Sequence, residues 1–180
     1  MSRLNAVNPD SAEGKAKELM DDVKQKMGMV PNIFRIMANA PAVLQAYLGF
    51  SGALKEGVLP AELREQIALA VSELNSCEYC LAAHTAIGKM VGLSDEEIIN
   101  SRRGIASDAK AEAAITFSRQ AVEKRGWMSD EDVSALRNAG YGDAEIVEIV
   151  ANIAVNLFTN TFNHVAGTDV DFPAAPKLQG

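Results

Sequence analysis

Two cysteines and two histidines are all the thiol and imidazole chemistry that this chain of 180 residues offers. A disulfide-stapled scaffold needs more cysteine than that, so the fold must rest on a hydrophobic core. Aromatic residues make up only 6% of the chain, and no stretch alternates apolar with polar residues as a half-buried strand does, which favours helices over sheets. Positive charge is not in excess: the formal net charge is −7, which argues against nucleic acid or an anionic membrane surface as a partner. No run of about 18 apolar residues occurs, so no membrane-spanning helix is expected. The longest apolar stretch, residues 146–158, is interrupted by Glu148, Asn152 and Asn156. The first twenty residues lack the apolar core of a secretory signal, and a cytoplasmic protein is expected.

What the chain does have is 48% hydrophobic residues and regular helix punctuation. Glycine, proline and capping residues divide it into about eight helical segments. One runs over residues 12–27 and stops at Gly28, and a short one follows Pro31. Another extends from Pro41 to about Lys55. Pro60 opens a helix carrying Leu63, Ile67, Ala70, Val71 and Leu74 at helical spacing. Asn75 with Glu78 reads as a capping box for a helix reaching Val91, and Ser94 with Glu97 as a second. Further helices are expected over residues 109–125, from Ser129 to Gly140, and from a cap at Asp143 to about His164. The tail, residues 167–180, holds Pro173 and Pro176 and reads as an extended arm or frayed end. The expected fold class is all-α, in one domain spanning residues 1–180. The methionines Met20, Met27, Met29, Met37, Met90 and Met128 read as core.

The two cysteines, Cys77 and Cys80, form a C-x-x-C pair. In a reducing compartment that spacing points to redox chemistry or to a metal. An Asn75 cap would put Cys77 in the first helical turn, where the dipole and unpaired N–H groups favour a thiolate. Cys80 shares its face, and His84 stands one turn further along, able to exchange a proton with a thiol. If the chain turns tightly near Asn75 and Ser76, the preceding helix folds back antiparallel and brings Glu65 opposite about residue 85. Its carboxylate then orients the His84 ring. Glu73 sits at the turn and reads as solvated.

The wording L-R-E-Q-I-A-L-A-V-S-E-L-N-S-C-E-Y-C-L-A-A-H over residues 63–84 resembles the core motif of the AhpD-like alkylhydroperoxidases of the carboxymuconolactone decarboxylase superfamily. In that pattern a glutamate precedes C-x-x-C-x-x-x-H by 12 positions, as Glu65 precedes Cys77 here. The early M-V-P-N-I-F and the closing N-x-F-N-H and D-F-P are similar to the longer, peroxidase-related branch. The resemblance implies an all-helical fold with a central antiparallel hairpin and a homo-oligomer, trimer or hexamer. It implies thiol-dependent reduction of organic hydroperoxides or of a partner's disulfide, regenerated by an external dithiol, with no cofactor. Carried over residue by residue, Cys77 and Cys80 are the redox pair, and His84 and Glu65 the proton relay. Tyr79 departs from the best-studied branch, which has histidine before the second cysteine. The namesake decarboxylation is disfavoured, because the superfamily's decarboxylases lack the cysteine pair.

Several alternatives stand beside this reading. Cys77, Cys80, His84 and His164 make a possible zinc set, although three ligands on one short helix suit a tetrahedron poorly. The dithiol of a non-enzymatic redox sensor or of a disulfide-exchange adaptor would look the same. His164 reads otherwise as a structural or interface histidine, Tyr79 as packing or as a substrate donor, and Arg102-Arg103 as complementing a helix dipole. Glu145 precedes His164 by the same interval that separates Glu65 from His84, an echo compatible with a decayed duplication. Which cysteine attacks first is open at this level.

Overall fold

A computed structural model describes residues 2–178 and shows nine helices and no strand among them. In chain order they are α1 (Gly14–Met27), α2 (Asn32–Met37), α3 (Pro41–Lys55), α4 (Ala61–Leu74), α5 (Glu78–Met90), α6 (Asp95–Arg103), α7 (Ala109–Glu123), α8 (Asp130–Asn138) and α9 (Asp143–Ala166). The organising element is α4, which packs against α5, α6, α7 and α9. A helix surrounded on that many sides needs apolar or small residues on more than one stripe. The run from Gln66 to Ser72 meets this requirement, being buried throughout with alanines at 68 and 70.

Two larger clusters of buried side chains make up most of the core. One joins Leu63, Ile67 and Val71 of α4 to Phe117 of α7, Leu136 of α8 and Ile149 of α9. The other joins α1 and α2, through Met20, Val23 and Phe34, to Leu44 of α3 and to Tyr79, Cys77 and Cys80 around the start of α5. The thiols are therefore built into a core rather than displayed on a loop.

Helix starts follow local chemistry. Ser94 with Glu97 and Ser129 with Asp132 each form a reciprocal capping box. Two expected caps are corrected. Asn75 closes α4 instead of opening α5, and Ser76 follows in the left-handed region at φ 52°. Cys77 is itself the N-cap of α5, its Sγ accepting the Cys80 N–H at 3.4 Å. The reversal is that tight because one residue takes a conformation L-residues seldom adopt. Likewise Gly142, not Asp143, is the N-cap of α9, and its N–H donates to the Glu145 carboxylate at 2.8 Å.

The methionine reading holds in part. Met20 and Met37 are core and Met128 packs against the α7–α8 cluster, but Met27, Met29 and Met90 are exposed, Met90 by 84%. Met27 and Met90 are the last residues of their helices, where helical spacing no longer guarantees a core-facing position. The described part of the tail is an ordered arm. Asp171 accepts the Asn32 N–H at 2.7 Å, Phe172 meets Tyr79 edge-on with centroids 5.7 Å apart, and the Pro176 carbonyl accepts from Arg102. Residues 179 and 180 of the expected arm lie outside the described residues. No helix among the described residues is long and apolar enough to cross a membrane.

Candidate active site

The α4–α5 hairpin brings together the four residues singled out by spacing. Glu65 and His84 meet across it, the ring Nδ1 lying 2.7 Å from Glu65 Oε2, with both side chains largely screened from solvent. Burial alone would disfavour a charged ring here. The Glu65 charge and hydrogen bond outweigh it, helped by Cys80 and Asn156, so His84 is held above the ordinary imidazole range. Glu73 is not solvated at the turn. It binds Arg102 at 2.7 Å, and Arg102 is only 5% exposed, so this arginine ties α4 to α6 and to the arm rather than serving a helix dipole at the surface.

The two cysteines are free thiols with very different surroundings, 2% and 3% exposed for Cys77 and Cys80. The Cys77 thiol donates to Cys80, and this hydrogen bond, with burial, keeps Cys77 well above the usual thiol range. The same hydrogen bond is the largest influence on Cys80. Together with the His84 charge and amide contacts from Asn163 and Asn160, it overcomes burial and lowers Cys80 to about 6. As N-cap, Cys77 accepts the Cys80 N–H, which by itself favours its thiolate as expected, but the hydrogen bond between the two sulfurs and burial outweigh that, so Cys80 is the sulfur held low.

Cys80 also opens on a cavity of about 60 Å³, walled chiefly by Phe34, Tyr47, Tyr79, Phe172 and Asn163, with His84 at its edge. Cys77 does not line it. A second cavity of similar volume lies across His84, beside Glu65, Arg64, Lys55 and Asn156. His84 lines both cavities, together with Tyr47 and Thr159. Tyr79 fits the packing reading: its hydroxyl accepts the Ile33 N–H at 3.3 Å and stands beside Asp171, and burial holds it above the ordinary phenol range.

His164 does not join the cysteines. Its Nε2 bonds the Asn75 carbonyl at 2.8 Å, bracing the turn, and no group of three or more His, Cys, Asp or Glu among the described residues is placed to hold a metal ion. The Glu145 echo does not reproduce a pair, since Glu145 and His164 sit near opposite ends of α9, roughly 28 Å apart at 1.5 Å per residue. Glu145 pairs instead with Lys110 at 2.9 Å.

Sequence reasoning passed over the asparagines of α9. Asn152, Asn156, Asn160 and Asn163 are all buried, at helical spacing on an apolar helix. Asn160 donates to Ser72 Oγ at 3.3 Å and accepts from Asn75 Nδ2 at 2.8 Å, and Asn163 Nδ2 donates to Cys80 Sγ at 3.2 Å. The signal was present: amides recurring at core positions must each find a partner.

These features define a class, helical proteins with a C-x-x-C dithiol served by a glutamate–histidine pair. The model of the carboxymuconolactone decarboxylase family matches residues 41–124, from α3 through α7. An uncharacterized peroxidase-related protein from Ralstonia eutropha, described as an alkylhydroperoxidase AhpD core, superposes with a TM-score of 0.84 at 25% identity, covering 94% of this chain and 92% of that one. The debrominase Bmp8, as its C82A variant with 2,3,4-tribromopyrrole, shares the fold with a TM-score of 0.80 at 20% identity, over 95% and 92% of the two chains. An uncharacterized protein of Haemophilus influenzae is 41% identical over 69 residues, which are 38% of this chain and 56% of that protein. The match thus spans little more than half the length of that relative. The chain thus has an AhpD-like fold, and its residues 41–124 match the carboxymuconolactone decarboxylase family.

Proposed function

We propose that the chain is a thiol-dependent peroxidase that reduces small organic hydroperoxides with the Cys77/Cys80 dithiol, His84 and Glu65 serving as proton relay. The observation that carries this is the asymmetry of the pair: the Cys80 sulfur accepts from Asn163 and opens on the apolar cavity that His84 also lines, while Cys77 does not line it. The Cys80 thiolate attacks the terminal oxygen of R–O–O–H. The S–O bond forms as the O–O bond breaks, the sulfur is oxidised to a sulfenic acid, and RO⁻ leaves as ROH with the His84 proton. Cys77 then attacks the Cys80 sulfur, expelling the hydroxyl as water with the Cys77 proton and closing the disulfide. An external dithiol, oxidised in turn to its disulfide, restores both thiols and leaves a proton for His84. Glu65 holds the ring throughout. The need for an external dithiol suits a reducing cytoplasm.

Intact-mass analysis of the reduced protein after brief exposure to cumene hydroperoxide tests the assignment. Wild type is expected to lose two hydrogens per chain. The Cys77→Ser variant is expected to gain a single oxygen, trapped by dimedone on Cys80, and the Cys80→Ser variant to stay unchanged. Oxygen trapped on Cys77 instead would reverse the roles. Oxidation of one equivalent with no repeated turnover in excess dithiol would leave a redox sensor or a disulfide-exchange adaptor in place of a peroxidase.

A further inference from the structure

We infer that Asn163 is a catalytic residue of this site, its amide N–H gripping the Cys80 sulfur while its carbonyl oxygen receives the O–H of the incoming hydroperoxide. Four asparagines line the buried face of α9, and three spend their amide groups inside the protein. Asn152 and Asn156 donate to the carbonyls of Glu148 and Asn152 one turn back, each at 2.8 Å, and Asn160 is bound between Ser72 and Asn75. Asn163 differs. Its Nδ2 reaches Cys80 Sγ at 3.2 Å, and its Oδ1 is buried without a hydrogen-bond partner, in a side chain that lines the Cys80 cavity.

A buried carbonyl oxygen with two idle lone pairs, in a residue only 5% exposed, calls for a donor that the folded chain does not supply. Its own amide nitrogen sits on the attacking sulfur, so a donor held by the oxygen is held beside that sulfur. A hydroperoxide has one such donor, the hydrogen on its terminal oxygen, which is the oxygen the thiolate attacks. That hydrogen stays on its oxygen throughout: S–O forms, O–O breaks, and the product is the sulfenic acid, whose O–H can remain on Asn163. The leaving RO⁻ takes its proton from His84. Asn163 thus orients the reacting atom, and His84 serves the leaving one. The specificity that follows is for peroxides with a free O–H, and the apolar cavity wall selects an organic R group. The carbonyl half of this inference rests on the peroxidase reading; the amide half does not.

Two variants separate the halves. Asn163→Leu removes both amide groups, and the isosteric Asn163→Asp keeps an acceptor while losing the donor. Iodoacetamide labelling of Cys80 across pH, read by peptide mass, is expected to show the thiolate midpoint rising by about one pH unit or more in both, the effect of losing a hydrogen bond to a charged group. Oxidation by cumene hydroperoxide is then followed at a pH where the thiolate is fully formed in every protein. Asn163→Leu is expected to be slower by roughly tenfold, and Asn163→Asp to lose less. An unchanged labelling midpoint in both variants overturns the amide half. An unchanged rate per thiolate in Asn163→Leu overturns the carbonyl half. If wild type reacts no faster than free N-acetylcysteine, the peroxidase reading fails and the carbonyl half with it, while the labelling midpoint still decides the amide half. Should Asn163→Leu fail to fold, Asn163→Asp decides the amide half by its midpoint. Asn163→Ser, small and without the amide, then replaces it in the rate test.

Discussion

With Cys80 lowered and His84 raised, transfer of a proton from sulfur to ring leaves the total held by the pair unchanged. That has a consequence for stability. His84 is raised on folding, so its contribution is complete below the ordinary imidazole pKa and is lost as pH rises through the folded value. Cys80 is lowered to about 6, so its contribution is complete above the ordinary thiol pKa and is lost as pH falls through 6. Between those limits the two slopes oppose each other. Wild type should therefore melt at nearly constant temperature from about pH 6.5 to 8. Cys80→Ser leaves the raised histidine with Glu65 and without its sulfur counterpart, and its melting temperature is expected to fall as pH rises over that range. Parallel melting curves for the two proteins, followed by circular dichroism, would count against the ion pair. At this scale the Glu65–His84 contact was legible before any coordinates, because an antiparallel hairpin fixes which positions face each other. The ranking of the two thiols was not. It depends on the hydrogen bond between the two sulfurs, on the His84 charge and on an amide arriving from α9, 83 positions away.

Among the elements, the serine capping boxes were read correctly, while the Asn75 and Asp143 caps and the arm held by distant contacts were not. Serine followed three residues later by a carboxylate marks the starts of α6 and α8 because the hydrogen bonds are made within one turn. The arm after α9 has no periodicity to read, yet residues 171 and 172 cover the dithiol by binding α2 and Tyr79. Its order comes from partners far along the chain, Asn32, Tyr79 and Arg102, that no window of sequence reveals. Phe172 is the part of the arm that walls the Cys80 cavity. Phe172→Ala should open this wall. Labelling of Cys80 by a bulky maleimide is then expected to accelerate several-fold more than labelling by iodoacetamide, with a loss of roughly 1–3 kcal/mol in unfolding free energy for a half-buried ring. Equal acceleration of both reagents would mean that the arm does not control access to the thiol.

Over the whole molecule, several of the large apolar side chains left at the surface share one pair of elements. Val43 and Phe50 of α3 and Val147, Val150 and Phe158 of α9 are each at least 40% exposed, and α3 and α9 pack side by side. Between them runs an apolar groove of about 380 Å³, floored by Ala46, Tyr47 and Val155. Isolated exposed apolar residues are ordinary, but a contiguous strip of this kind is a surface that water covers at a cost. The helices bearing it also wall the active site, since Tyr47 of α3 lies in the groove and in both cavities flanking His84. A homo-oligomer in which copies of this chain cover one another's α3–α9 strip accounts for both facts, and it would couple assembly to the packing around Cys80. Light scattering after size exclusion should then give a mass of more than one chain. A Val43→Glu/Phe158→Glu double variant is expected to run as a monomer, with Cys80 labelled several-fold faster once Tyr47 loses its support. A wild-type protein that elutes as a monomer at micromolar concentration would remove the assembly and leave the strip to some other partner.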